Sequence, residues 1–215
     1  MKSLFVYFLA TLLVFSSCNT SKKTQGAIIG GAVGATAGAL LTKKNRAVGI
    51  ILGAAVGGLS GGIIGSYMDK AARDISDDLG NDATVVRVGE GIVVSFDSGL
   101  LFDFDSYALK STTKDNLSKL AASLTEYKDT HVNILGHTDS DGDSAYNQKL
   151  SVNRSNAVLS FLNENSVSSA RLKAMGFGES DPVATNKTDD GKELNRRVEI
   201  VLVANDQLKK DSTTK

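Results

Sequence analysis

Residues 136–154 read GHTDSDGDSAYNQKLSVNR, and the fold turns on how that run is parsed. Just upstream, residues 131–136 place Val132 and Ile134 two positions apart, the spacing of one face of a strand. An acidic loop containing Gly142 follows. From about residue 144 to 165 the apolar positions Tyr146, Leu150, Ala157, Val158, Phe161 and Leu162 recur at helical spacing. Strand, loop and helix therefore succeed one another within about 35 residues, a unit that packs a helix onto a sheet. Asp139 lies in the loop and Arg154 a few turns into the helix. Across a small gap they would present one negative and one positive charge, which matches a zwitterionic ligand.

Working outward, residues 84–88 and 91–96 are β-branched runs flanking Gly89 and Glu90, the composition of a β-hairpin. After LLFDFDSYALK (100–110), Leu109, Leu117, Leu120, Ala121 and Leu124 fall at helical spacing through about Tyr127. Residues 171–176 read as a short strand and 198–203 as a longer terminal one, with a polar loop between. This alternation predicts an α/β fold: a two-layer α/β sandwich over 84–205, with helices on one face of a mixed sheet. That length is enough to close its own core. Residues 206–215 read as a polar tail.

The remainder of the 215-residue chain is different material. Lys plus Arg and Asp plus Glu both number 24, so no net field points to nucleic acid. The single cysteine, Cys18, excludes an internal disulfide framework and any multi-cysteine metal site. Residues 1–17, MKSLFVYFLATLLVFSS, carry one basic residue and then an apolar run too short for a stable span, the pattern of a signal peptide. Together with the preceding Phe-Ser-Ser, Cys18 resembles a bacterial lipobox, which implies lipidation of Cys18 and a membrane anchor. Residues 18–25 form a polar tether. Asn19 rather than aspartate follows the cysteine, and resemblance to enterobacterial sorting then favours the outer membrane.

Gly26, Gly30, Gly34 and Gly38, then Gly49, Gly53, Gly57, Gly61 and Gly65, recur every four residues on either side of Lys43-Lys44-Asn45-Arg46. Such a period lays a stripe without side chains along a helix, where a second helix can approach closely. Ile28, Val33, Leu40, Ile50, Val56 and Ile63 are among the residues between, and neither run contains a charge. The expectation for 26–68 is a glycine-zipper helical hairpin that is membrane-associated or self-associating. A flexible spacer is the alternative. At about 1.5 Å per residue the first run barely reaches about 25 Å, marginal for a span, while the second is long enough. No strand precedes these glycines in a βαβ unit, so a dinucleotide site is excluded. Residues 69–83 read as a charged, helix-compatible linker.

Catalysis has little to work with. His137, Asp139, Asp141 and Asp143 are clustered, but Gly142 comes two residues early for an EF-hand loop and Leu150 stands where its bidentate glutamate belongs. No Ser-His or Cys-His nucleophile can be assembled. No enzyme, metal or cofactor is expected. His137 reads as a loop-packing residue and His131 as an exposed strand start.

FDFDSYAL, GHTDSDG, YNQKLSVNR, GFGESDP and NRRVEI, in that order, resemble the C-terminal domain of outer-membrane protein A and of the flagellar-motor stator protein. The likeness covers roughly residues 85–203. With the lipobox, the zipper and its closing YMD, the chain resembles the enterobacterial lipoprotein subgroup of that family. The resemblance implies non-covalent binding of peptidoglycan through the diaminopimelate of its stem peptide. It places Asp139 on the ligand's ammonium and Arg154 on its carboxylate, with Phe104, Asp105, Asn147 and Arg196 as further contacts. Ser155, where alanine is usual, and Asp105, where asparagine or serine also occurs, depart from the pattern without touching the two charged anchors.

Diaminopimelate carries a carboxylate beside its distal amine, and a guanidinium can hold that carboxylate with two parallel hydrogen bonds. Asn147 and Arg154 are seven apart and share a helix face. Free N–H groups at the helix start near Ser144 are a further place for the carboxylate. The ordinary alternative for Asp139 and Arg154 is a surface ion pair with each other, worth about 0–1 kcal/mol. The expected protein is lipid-anchored in the outer membrane with its C-terminal domain in the periplasm. Its expected partners are peptidoglycan, lipid, and through the zipper itself or other envelope proteins. A membrane-assembly element acting through the zipper, with the domain as tether, is the rival reading.

Overall fold

The computed structural model describes residues 28–29, 45–55 and 61–214. The signal peptide (1–17), Cys18, the tether (18–25) and nearly all of the first glycine run lie outside the described residues. Among the described residues six strands make one mixed sheet: β1 (Ile28–Ile29), β2 (Thr84–Val88), β3 (Gly91–Asp97), β4 (Thr130–Gly136), β5 (Leu172–Gly176) and β6 (Arg197–Ala204), in the order β1-β2-β3-β6-β4-β5. Only the β4–β5 pair is parallel, and parallel neighbours need a crossover. The helix Ser144–Glu164 supplies it. The last strand, β6, is inserted between β3 and β4 and is buried along its whole length, which accounts for its almost unbroken apolar sequence. Gly89, at a φ of 53°, makes the tight β2–β3 turn that a residue with a Cβ would strain.

The expected α/β class with a mixed sheet holds. One sheet face presents Ile92, Val94, Phe96, Ile134, Ile200 and Leu202 to the helices Gly61–Leu79, Ser111–Glu126 and Ser144–Glu164. The first of these helices crosses the expected boundary between zipper and linker. Ile64, Met68, Ala71, Ala72, Ile75 and Leu79 form its buried stripe, spaced three or four apart. Residues 69–79 thus belong to the core, because the many charges of this stretch sit on the outer side of an amphipathic helix.

The second glycine run also departs from one continuous zipper helix. The helix Arg46–Ala54 is separate, is capped by Asn45, and lies on the opposite sheet face. There Ala47 and Ile51 pack with Val93, Leu135, Val201 and Val203. It is therefore not paired with Gly61–Leu79: the sheet lies between them. The expected partner run, 26–44, lies outside the described residues apart from the two residues of β1. Among the described residues no helix is long and apolar enough to cross a membrane.

Two smaller corrections follow from packing. Residues 206–213 form a helix rather than a bare tail, capped by the Asn205 side chain and anchored by buried Leu208. On Ser144–Glu164, Tyr146 is exposed and Leu150 half-buried, while Asn147, Ser151, Arg154 and Ser155 face inward. The reason is close approach. A Cβ on Gly136 would meet the Ser151 carbonyl oxygen at 2.2 Å, and one on Gly176 would meet the Val152 nitrogen at 2.4 Å. Only small side chains fit there, so the inward face at this end of the helix is small or hydrogen-bonded.

Candidate functional site

At the C-terminal end of β4 the chain leaves the sheet as His137-Thr138-Asp139. Thr138 donates its backbone N–H to the Gly178 carbonyl at 2.9 Å, which holds this exit against the loop after β5. Asp139 is almost fully buried. Its Oδ1 accepts from the Asp141 backbone at 3.0 Å, a local turn that an aspartate makes with its own chain. Asp143 then caps the helix, its Oδ1 accepting from the Tyr146 N–H at 3.0 Å. The N–H groups expected to await an anion near Ser144 are in part met by Asp143 itself.

Asn147 is the clamp of this loop. From one buried amide group it donates to the Asp141 carbonyl at 3.0 Å, the Glu179 carboxylate at 2.9 Å and, longer, the Asp139 carbonyl at 3.4 Å. Its observed contacts fix the backbone that carries Asp139.

The partner of Asp139 is Arg196, not Arg154. Arg196 Nη1 donates to Asp139 Oδ2 at 2.6 Å. The alternative in which Asp139 and Arg154 simply pair with each other is thereby removed. Arg154 is also buried. Its Nε donates to the Ser106 carbonyl at 2.9 Å, and its guanidinium lies 5.2 Å above the Phe102 ring. Among the described residues, no protein group accepts from its terminal Nη1 and Nη2. Burial draws its pKa below the ordinary arginine value, and the nearby Tyr146 and Asp105 act the other way.

The wall facing these groups is the loop 103–108. Asp105 adopts a φ of 57° and accepts a hydrogen bond from the Tyr146 hydroxyl, which pushes that phenol's pKa up. Phe104 projects fully into solvent. Asp139, Arg154, Phe104, Asp105, Asn147 and Arg196 all line one cleft of about 500 Å³. Tyr146, Phe102, Asp103, Lys110, Thr138 and Asp141 line it too and escape sequence reasoning. Tyr146 looks like a core residue by period alone; its place in the first helical turn, beside a loop rich in aspartate, is the one local sign otherwise.

Charge in the cleft is mostly matched internally. Lys192 pairs with Asp141 at 2.8 Å and Lys110 lies 3.4 Å from Asp103. With Asp139 on Arg196 and Asp105 on Tyr146, Arg154 is left as the lining cation without a carboxylate partner among the described residues. The cleft as it stands can therefore accept an anion at Arg154 and, beside it, a donor on the remaining lone pairs of Asp139, since a carboxylate accepts about four hydrogen bonds.

Arg197 goes elsewhere. Its Nε donates to buried Glu199 at 2.7 Å, on the far side of the strand from the cleft. His137 is 1% exposed, stacks on Phe177 with ring centroids 5.6 Å apart, and is a packing residue as expected. Among the described residues, no group of three or more His, Cys, Asp and Glu side chains could hold a metal.

Residues 101–196 match the model of the OmpA family, and residues 1–69 match that of the YMGG-like Gly-zipper. The probable lipoprotein YiaD of Escherichia coli (strain K12) is 37% identical over 212 residues, covering 92% of this chain and 97% of its own. The outer-membrane lipoprotein YfiB of Pseudomonas aeruginosa is 37% identical over 115 residues, 54% of this chain and 68% of its own. Among solved structures, a putative MotB-like protein from Desulfovibrio vulgaris superposes with a TM-score of 0.62 at 25% identity, covering 68% of this chain and 99% of that one. The cell wall anchor of the T6SS from Pseudomonas aeruginosa follows at a TM-score of 0.57 and 30% identity, covering 62% and 96%.

Proposed function

The chain belongs to the OmpA family, and from that premise we propose that it is a lipid-anchored outer-membrane protein that binds peptidoglycan non-covalently. In this reading Cys18 carries the anchor and the cleft takes one diaminopimelate residue of the wall's stem peptide. The domain acts by holding its ligand, with no chemical step. The observation that carries the reading is the pairing scheme of the cleft. Asp139 is fixed by Arg196, while the buried guanidinium of Arg154 keeps two amino groups that meet no acceptor among the described residues.

The roles follow from that scheme. Arg154, steadied through Nε by the Ser106 carbonyl, offers its free edge to the ligand's side-chain carboxylate in a two-bond fork. Asp139 takes the neighbouring ammonium on lone pairs left over from Arg196 and Asp141. Asn147 holds the loop in place, and Phe104 and Asp105 form the opposite rim. A ligand with only one of the two charges leaves a buried group unsatisfied, which costs about 1–3 kcal/mol. Membership of the family and the named lipoprotein relatives support the envelope location.

Co-sedimentation with purified diaminopimelate-type sacculi tests this. The wild-type chain should pellet with the wall, and Asp139→Ala and Arg154→Ala should stay in the supernatant while remaining folded. Sacculi of the lysine type, which lack the second carboxylate, should retain far less protein. Undiminished pelleting of both folded variants would sink the assignment.

A further inference from the structure

The stretch 45–54 lies inside the glycine-rich segment, and its composition argues for lipid or for another helix. In the structure it is instead bound to the domain at both ends of its contact surface. Ile51 drops into the hollow above Gly91, where an added Cβ would come within 2.5 Å of Ile51 Cγ1. Ala47 and Ile51 cover Val93, Leu135, Val201 and Val203. At the helix start, one asparagine performs two tasks. Asn45 Oδ1 accepts from the Ala47 N–H at 2.7 Å and caps the helix, while its Nδ2 donates to buried Glu199 at 3.1 Å. The Arg46 N–H donates to Asp181 at 2.9 Å, and the Arg46 guanidinium lies 5.4 Å from the Phe177 ring centroid.

Asparagine is the side chain that this position demands. An aspartate would cap equally well but would set a carboxylate against Glu199, and a serine is too short to do both. Glu199 is fully buried, and the oxygen that Asn45 reaches, Oε1, also accepts from Arg197 Nε at 2.7 Å. Arg197 in turn donates to the Asp181 carbonyl at 3.2 Å.

These docking residues lie within two positions of cleft residues along the chain. Arg196 reaches Asp139, and the next residue, Arg197, reaches Glu199. His137, whose N–H donates to the Arg197 carbonyl at 3.0 Å, stands two residues before Asp139. Asp181 stands two residues after Glu179, which receives the Asn147 clamp. Arg196 and Arg197, as successive residues, turn to opposite sides, and the loops after β4 and β5 each carry one residue of the cleft and one of the docking surface within two positions.

We infer that Asn45–Ala54 is an intramolecular brace: it docks on the sheet's second face through Asn45, Arg46 and Ile51 and positions the loops that carry Asp139 and Arg196. The glycine-rich segment is thereby coupled to the cleft as well as to whatever lies N-terminal of it. The effect on affinity rests on the diaminopimelate reading above; the docking itself does not.

The test uses the full-length protein in detergent, with amide hydrogen exchange as one readout and calorimetric titration of a soluble diaminopimelate tripeptide as the other. Asn45→Asp and Ile51→Ser should speed exchange across 46–54, raise it across 137–141, and weaken the tripeptide about fivefold or more, the low end of coupling between sites. Leu52→Ser, on the outer face where Leu52 is 61% exposed, should change neither. Fast exchange in 46–54 with unaltered exchange and affinity at the cleft would overturn the brace, as would undisturbed exchange in 46–54 for both variants. If the wild-type chain does not bind the tripeptide, the diaminopimelate reading fails and the exchange comparison alone decides the brace.

Discussion

Arg196 holds the carboxylate of Asp139 from across 57 residues of sequence, at 2.6 Å, and thereby leaves Arg154 without an acidic partner among the described residues. The two arginines of the cleft thus have different tasks. Arg196 fixes the orientation of the aspartate, while Arg154 presents an open guanidinium edge over the Phe102 ring.

Arg196→Ala should weaken the diaminopimelate tripeptide about tenfold, since a hydrogen bond to a charged group contributes about 1.5–3 kcal/mol and Asp139 would lose its fixed orientation. Arg154→Lys should cost a similar factor despite keeping the charge. A lysine cannot hold the Ser106 carbonyl and also fork onto a carboxylate. Titration calorimetry on both variants checks this, and a lysine variant of wild-type affinity would contradict the forked contact.

Asn147→Ala should destabilise the domain by about 2 kcal/mol, because one buried amide serves the Asp141 carbonyl and the Glu179 carboxylate together. Urea denaturation measures it. The loop 138–141 should also exchange its amides faster, which separates a clamp from a mere surface contact.

Gly136→Ala should cost about 3 kcal/mol, since its Cβ would stand 2.2 Å from the Ser151 carbonyl and neither backbone can move far. Gly49 meets nothing within 4 Å. There an alanine should leave stability unchanged or raise it by about 0.5–1 kcal/mol, the ordinary gain of alanine over glycine within a helix. Thermal melts of the pair show whether the two glycines differ in kind.

Stability should fall as the solution is acidified below about pH 6.5. Burial, and secondarily the charge of Arg197, holds the His137 pKa well below the usual histidine value of about 6.5. Between those two values the unfolded chain binds a proton that the folded one does not, so acid favours unfolding. The slope attributable to His137 is up to about 1.4 kcal/mol per pH unit, and stability is fully present above pH 6.5. Denaturant midpoints from pH 7.5 to 5.5 should show this slope for wild type and for a variant of exposed His131, and lose it in His137→Gln.

Much of this was legible in the chain. The β2–β3 hairpin, the β4 strand with its following helix, and the terminal strand each have a local signature in period or turn chemistry. The six residues expected at the site do line one cleft, because they sit in short motifs whose local geometry is stereotyped. The helix Gly61–Leu79 was obscured by its own charges: the stripe Ile64, Met68, Ile75, Leu79 is regular, but the mean composition of 69–83 is that of a linker. Tyr146 was misplaced because a helical period identifies a face without saying which part of that face meets the sheet and which overhangs a cleft.

The sequence by itself determined the α/β class, the acidic loop between strand and helix, and the residue types that meet a zwitterion. It left open what those charges meet. That Asp139 pairs with Arg196 and that Asn45 docks on Glu199 were decided by β6 entering between β3 and β4. Propensity and periodicity act over a few residues, whereas these contacts join segments 57 to 154 positions apart. Only the sheet order brings those segments within a hydrogen bond's length.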